Sequence, residues 1–201
     1  MNRIKSAFEK AMERAEQFEE PGEEQRLAWK LLPEGQRLAG SFIKGQGSPF
    51  STIEKAPPEH RSYLVKGMAE ILVSNLQLPK TEEAQHANTR VIEGLERLLA
   101  DKPPIKELLQ RVRYVSDQYR QFGLPQREQA YQQLKAQMEQ QVAEAMSRQM
   151  GPTAAPTGGA LQVNVEAMPE FQQQWLAVSA QIDQQYEQHF EEYRKQLLEL
   201  V

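Results

Sequence analysis

The stretch PEFQQQWLAVSAQIDQQYEQHFEEYRKQLLELV, residues 169–201, decides how the rest of the chain is read. Apolar side chains fall there at Phe171, Trp175, Val178, Ile182, Tyr186, Phe190, Tyr193, Leu197 and Leu200, in steps of three or four. That is the spacing of one face of an α-helix, and close to a heptad seam. Gln, Glu, Lys and Arg fill most of the positions between. Pro169 suits a first helical turn, where its missing N–H costs nothing. No later Gly or Pro interrupts the run. At 1.5 Å per residue such a helix is about 48 Å long. Its aromatic stripe has to be buried against something. The two options are another helix of the same chain and a second copy of it.

Composition narrows the class. Apolar residues make up 39% of the 201, below the usual ~45–50%, which favours elongated helices with one buried face. The chain has no cysteine, which excludes disulfides, a thiol nucleophile and thiolate metal sites. It is compatible with a reducing cytosol, and a cytoplasmic location is expected. The net charge of −4 argues against a dedicated DNA-coating protein, which would be strongly basic. No apolar run approaches the ~18 residues of a membrane span, and residues 2–19 mix acids with bases rather than forming a leader, so no membrane contact is expected.

Upstream, the pattern is helical with punctuation. Ile4, Ala7, Phe8, Ala11, Met12, Ala15 and Phe18 predict a helix over 2–19, closed by Pro21-Gly22. A second helical stretch from Glu23 is expected to break or restart near Pro33, because an internal proline removes a hydrogen bond. Gly45, Gly47, Pro49 and Pro57-Pro58 predict an irregular connector over 45–58. Further helices are predicted over 58–77, over 81–100 with Thr81 as N-cap, over 104–122 with Gly123 as its terminator, and over 125–150. Gly151–Gly159 (GPTAAPTGG) reads as a flexible linker. Leu161, Val163 and Val165 alternate with polar residues, a short strand-like signal. The fold class is therefore all-α. A helical block, 1–122, precedes a long Gln-rich helix, 123–150. A linker with a short extended segment, 151–168, leads to the terminal amphipathic helix, 169–201. The two long helices are expected to fold back as an antiparallel hairpin.

Few residues point to chemistry. Glu83-Ala84-Gln85-His86 is a single Glu-x-x-His, whereas a helical di-metal site uses two with further carboxylates. Glu83 is already accounted for as a first-turn acid, so no metal, cofactor or catalytic residue is assigned. Gly45-Gln46-Gly47-Ser48 lacks the Lys and the preceding strand of a phosphate loop. Between Lys102 and Arg127 stand six basic residues and two acidic ones, a local balance of +4. Lys106, Arg111, Arg113 and Arg120 are therefore candidate nucleic-acid contacts, with Tyr114 and Tyr119 among them. Phe171, Trp175, Ile182, Tyr186, Phe190 and Tyr193 are candidate partner-binding residues. Trp29 is expected to pack against the first helix.

Two stretches carry a resemblance. Lys5-Ser6-Ala7-Phe8-Glu9-Lys10-Ala11-Met12-Glu13-Arg14-Ala15-Glu16 resembles the opening of an uncharacterised bacterial family of helical proteins. Gly158-Gly159-Ala160, Asn164, Glu166-Ala167 and Pro169-Glu170-Phe171 resemble that family's later Gly-rich turn and final helix. The resemblance implies a bacterial cytosolic protein and brings no activity or site residues with it. The expected function is non-enzymatic: an adaptor, assembly factor or chaperone-like protein that binds a protein partner, or itself, through its long helices. The alternative is an RNA- or ribosome-associated factor using the basic helix. A metal-dependent helical enzyme is the remote third.

Overall fold

A computed structural model describes residues 22–150 and 163–201. The expected helix over 2–19 and the 151–159 linker lie outside the described residues. The protein is all-α, with no strand among the described residues. It divides into two units, at Ile71/Leu72.

In the first unit, helix α1 (Glu23–Ile43) runs straight through Pro33, so the expected break does not occur. The carbonyl that loses its partner is four residues back, on Trp29, and both Trp29 and Pro33 are exposed. Water can therefore supply the missing bond. Trp29 is 68% exposed rather than packed on a neighbouring helix. The 45–58 connector is not wholly irregular either, since helix α2 (Phe50–Lys55) forms within it. Phe50 and Ile53, one turn apart, are buried, and Phe50 meets Phe42 edge-on at 5.3 Å. Arg61 donates to the Glu54 carbonyl at 2.7 Å and to the Ala56 carbonyl at 3.2 Å, satisfying the end of that short helix. Helix α3 (Pro58–Ser74) meets α1 where two glycines face backbone. A Cβ on Gly35 would lie 2.4 Å from the Leu64 carbonyl oxygen, and one on Gly67 would lie 2.3 Å from that of Leu32.

The second unit is built on one very long helical rod. Helix α4 (Glu82–Leu98) starts as expected, with the Thr81 hydroxyl accepting from the Ala84 N–H. Helix α5 (Pro103–Gln118) does not stop at Gly123. It passes through a single π turn (Tyr119–Gly123) directly into helix α6 (Leu124–Met150). Val165–Ala167 form a 3₁₀ turn capped by Asn164. Val163 is exposed and Val165 is buried, so the apolar alternation marks a turn whose one inward residue docks on α6, not a strand. Leu161 lies outside the described residues. Helix α7 (Pro169–Leu200) is 32 residues long and returns along the rod. Lys102 meets residue 200, Tyr119 meets residue 183, Arg127 meets 179 and 183, and Tyr131 meets 171 and 175. As one number rises the other falls in step, which is the antiparallel hairpin expected from the seam.

Candidate functional site

The seam of α7 is filled along its own chain. Phe171, Phe190 and Leu197 are buried, while Trp175, Ile182, Tyr186 and Tyr193 are half-buried. Tyr131 meets Phe171 and Trp175 edge-on at 5.3 and 5.1 Å, and Tyr119 meets Tyr186 at 5.0 Å. Such ring pairs add about 0.5–1.5 kcal/mol beyond the area they bury. In the middle of this seam the buried positions are Ser179 and Asp183. A carboxylate is thus the centre of an aromatic interface.

Asp183 is only 4% exposed, and its surroundings answer its charge. The Tyr119 hydroxyl donates to Oδ1 at 2.9 Å. Arg127 donates to Oδ2 and, at 3.4 Å, to the Ser179 carbonyl. Lys80 Nζ lies 3.0 Å from the same carboxylate and 3.2 Å from Glu187. Each partner is delivered by a separate device. Lys80 sits on the connector between α3 and α4, which is held by Asn88, donating to the Gln77 carbonyl at 2.5 Å and accepting from its N–H at 3.1 Å. Arg127 lies over the Trp175 ring at 5.3 Å, a cation–π contact. Tyr119 opens the π turn, and its ring lies across Gly123, where a Cβ would come within 2.4 Å of Tyr119 Cδ2. π turns inside α-helices are frequent at functional sites.

The electrostatics drive Asp183, Tyr119 and Lys80 away from neutral pH. Burial raises the Asp183 carboxyl, but hydrogen bonds from Lys80, Arg127 and Tyr119 outweigh it and leave the group below its usual range. Burial, then the bond to Asp183, push the Tyr119 phenol well above its ordinary value. Burial pulls the Lys80 ammonium down, yet Asp183 and Glu187 leave it raised. A general acid or base works best with a pKa near the operating pH. These shifts instead lock each group in one protonation state.

A second carboxylate repeats the motif nearer the surface. Glu166 accepts from the Tyr131 hydroxyl at 2.6 Å and from Lys135 at 3.0 Å. The Tyr131 bond, then the Lys135 one, hold its carboxyl below the usual range. Beneath it Val165, Leu134, Met138 and Phe171 form a small apolar core.

Two open hollows lie beside the buried cluster. The larger, about 570 Å³, is lined by Lys80, Arg120, Leu124, Pro125, Arg127, Glu128, Tyr131 and Trp175. The smaller, about 220 Å³, is lined by residues including Pro79, Asn88, Ile92, Arg113, Asp117 and Arg120. Arg120 belongs to both. Lys106, Arg113 and Arg120 recur every seven residues, which brings them to one side of the helical rod. Arg111 lies about 200° round from Arg113, at about 100° per residue. The four candidate nucleic-acid residues therefore do not form one patch. Arg111 pairs with Glu107 at 2.7 Å, Arg113 with Glu96 at 2.9 Å, and Arg120 with Asp117 at 3.6 Å. Glu83 serves its helix start, its carboxyl held low by its own backbone N–H and the Thr81 hydroxyl. Among the described residues, no group of three or more acidic or imidazole side chains is placed to share a metal ion. No helix there is long and apolar enough to cross a membrane.

Sequence reasoning missed Asp183, Lys80 and Asn88, and read Tyr119 as an aromatic among the candidate nucleic-acid contacts that also fits the inward face of its helix, not as a partner of Asp183. The available signal was the seam itself. Read strictly in steps of four from Phe171 and Trp175, it arrives at Ser179 and Asp183, two polar residues at buried positions.

The family model described as "Family of unknown function (DUF6657)" matches residues 50–199, and the chain belongs to that family. An uncharacterised family is what the resemblance implied. No curated protein and no solved structure matches the chain.

Proposed function

We propose that this member of a family of unknown function is a non-enzymatic interaction protein, an adaptor or assembly factor that works through the α5–α7 hairpin. The observation that carries the reading is the state of the buried cluster. Tyr119, Lys80 and Asp183 are pushed away from neutral pKa values, so the polar centre of the hairpin acts as a clamp rather than a proton relay. The clamp makes the hairpin a rigid platform, and a rigid platform loses little freedom when a partner docks. The aromatic seam is consumed in building that platform. Binding then falls to its outside, where Tyr114, Phe122 and Leu176 are 65%, 52% and 70% exposed. A bacterial cytoplasm is the setting the resemblance implies.

The test is affinity capture at native expression level with nuclease present. The full-length chain is compared with a Tyr114→Ser, Phe122→Ser, Leu176→Ser variant of matched helicity and Tm. A stoichiometric protein partner held by the wild type and lost by the variant is expected. If the only captured material disappears with nuclease, or no stoichiometric partner is found, the reading fails.

A further inference from the structure

Resting on that reading, we infer that the hollows on either side of Arg120 form a groove for an acidic peptide segment of the partner. Charge is the first argument. The walls carry four cations, Lys80, Arg113, Arg120 and Arg127, against Asp117 and Glu128. That is a balance of +2 among the lining side chains. Behind the walls Asp183 and Glu187 answer Lys80 and Arg127, and Glu96 answers Arg113, which leaves Arg120, common to both hollows, as the cation least answered.

The cations are graded for the task. Lys80 and Arg127 are fixed from behind by Asp183, so their positions are set before a ligand arrives. Arg120 is different. Its Asp117 partner is 3.6 Å away, one turn earlier on the same helix, and both side chains are largely exposed. Such pairs contribute little, and a guanidinium exchanges one carboxylate for another with two parallel hydrogen bonds. Arg120 is therefore the residue that a ligand carboxylate captures. Leu124, Pro125 and the Trp175 edge supply apolar wall in the same hollow, which suits acidic residues interspersed with aliphatic ones.

The same geometry disfavours a nucleic acid. Base stacking needs an open aromatic face, and Trp175 has Arg127 over its ring and Tyr131 against it. Arg111 is turned away from the groove and Arg113 is paired with Glu96 at 2.9 Å, which interrupts the row of basic side chains along the helix.

The experiment is fluorescence anisotropy of the full-length chain with a short fluorescein-labelled peptide alternating Glu and Leu. Its controls are the same peptide with Lys for Glu and a single-stranded oligouridylate of equal charge. Saturable binding of the Glu peptide is expected. Arg120→Glu should weaken it by about tenfold or more, and Arg120→Gln by less. Arg111→Glu should leave it within about twofold, since an exposed charge away from the site acts only through a screened field. Arg120→Gln keeps the test alive if the charge reversal misfolds. Equal loss from Arg111→Glu, equal binding of the Lys peptide, or tighter Arg120-dependent binding of the oligouridylate would overturn the inference. If the Glu peptide does not bind while a nuclease-resistant partner is still captured, the acidic class falls and the interaction reading stands.

Discussion

The α1–α3 crossing and the α5–α7 hairpin hold helices together in opposite ways. At the crossing, side chains are removed. Gly35 and Gly67 let each helix approach the other's carbonyl oxygens at distances no Cβ could share. In the hairpin, side chains are large and interlocked, and the buried centre is a charged carboxylate with three partners. Backbone approach gains close van der Waals contact but tolerates no added atom. The interlocked seam tolerates change along its length, and its register is set where Asp183 must find Tyr119, Arg127 and Lys80. Shifting the hairpin by one turn would bury that charge without partners, a cost of several kcal/mol.

The largest expected effect is at the crossing. Changing both Gly35 and Gly67 to Ala should cost about 4 kcal/mol, above the ~1–3 of a single overpacking because two backbone contacts are opened. Amide exchange should accelerate over residues 23–71 and remain slow along 103–150. Exchange that rises equally in both regions would show that the two modes of packing are not separable. Next comes Asp183→Ala, which leaves Arg127, Lys80 and the Tyr119 hydroxyl facing each other without their anion, for about 3 kcal/mol. Each region holds one tryptophan, Trp29 or Trp175. In a Trp29→Phe background, Trp175 fluorescence reports the hairpin directly, and an unchanged denaturant midpoint there would remove Asp183 from the argument.

The clamp also has a pH signature. The folded-state carboxyl of Asp183 is lowered by its partners, against the burial that alone would raise it. Its contribution is therefore complete above the unfolded value near 3.9, and it is lost as pH falls through the lower folded value. The stability gap between wild type and Asp183→Asn should be about 2 kcal/mol between pH 5 and 7, begin to narrow below about pH 4 and close only below the lowered folded value. At the glycine crossing the added Cβ atoms would meet the backbone of Leu32, Leu64 and Met68, so the gap for the Gly35→Ala, Gly67→Ala protein should stay flat over the same range.

These two regions also mark what a sequence shows. The hairpin was legible because Phe171, Trp175, Tyr186, Phe190 and Leu197 keep a helical period over about seven turns, and periodicity survives without knowledge of the partner. The clamp was not, because Lys80, Tyr119 and Asp183 are scattered in sequence and only the fold brings them together. The continuity through Pro33 and Gly123 was hidden for a local reason. Each residue is a helix breaker by propensity, and each is tolerated through its surroundings, Pro33 on an exposed face and Gly123 beneath a tyrosine ring. Gly35 and Gly67 read as ordinary helix-weakening glycines, since close backbone approach leaves no mark in either sequence separately.

The π turn ties the two lessons together, because there a glycine serves the clamp. Gly123→Ala gains helix propensity worth about 1 kcal/mol, but its Cβ would displace the Tyr119 ring and with it the hydroxyl bond to Asp183. A net loss of about 1–2 kcal/mol is expected, given that hydrogen bonds to charged groups contribute about 1.5–3. In a Tyr119→Ala background the ring is gone, and the same substitution should become neutral or stabilising. A double-mutant cycle reads this coupling, and additive effects would show that Gly123 has no part in seating the tyrosine.

The smallest effect belongs to Glu166, which makes the same kinds of contact as Asp183, a tyrosine hydroxyl and a cation. What differs is exposure, since the Glu166 side chain is 39% accessible and that of Asp183 is 6%. Water and salt can replace the lost contacts of Glu166→Gln, and a screened surface pair contributes little. The expected change is about one degree in Tm or less, shrinking further as salt rises, whereas the Asp183→Asn deficit should persist in salt because its site is closed to solvent. Equal, salt-insensitive losses from the two would mean that the contacts themselves, and not their burial, fix the register of the hairpin.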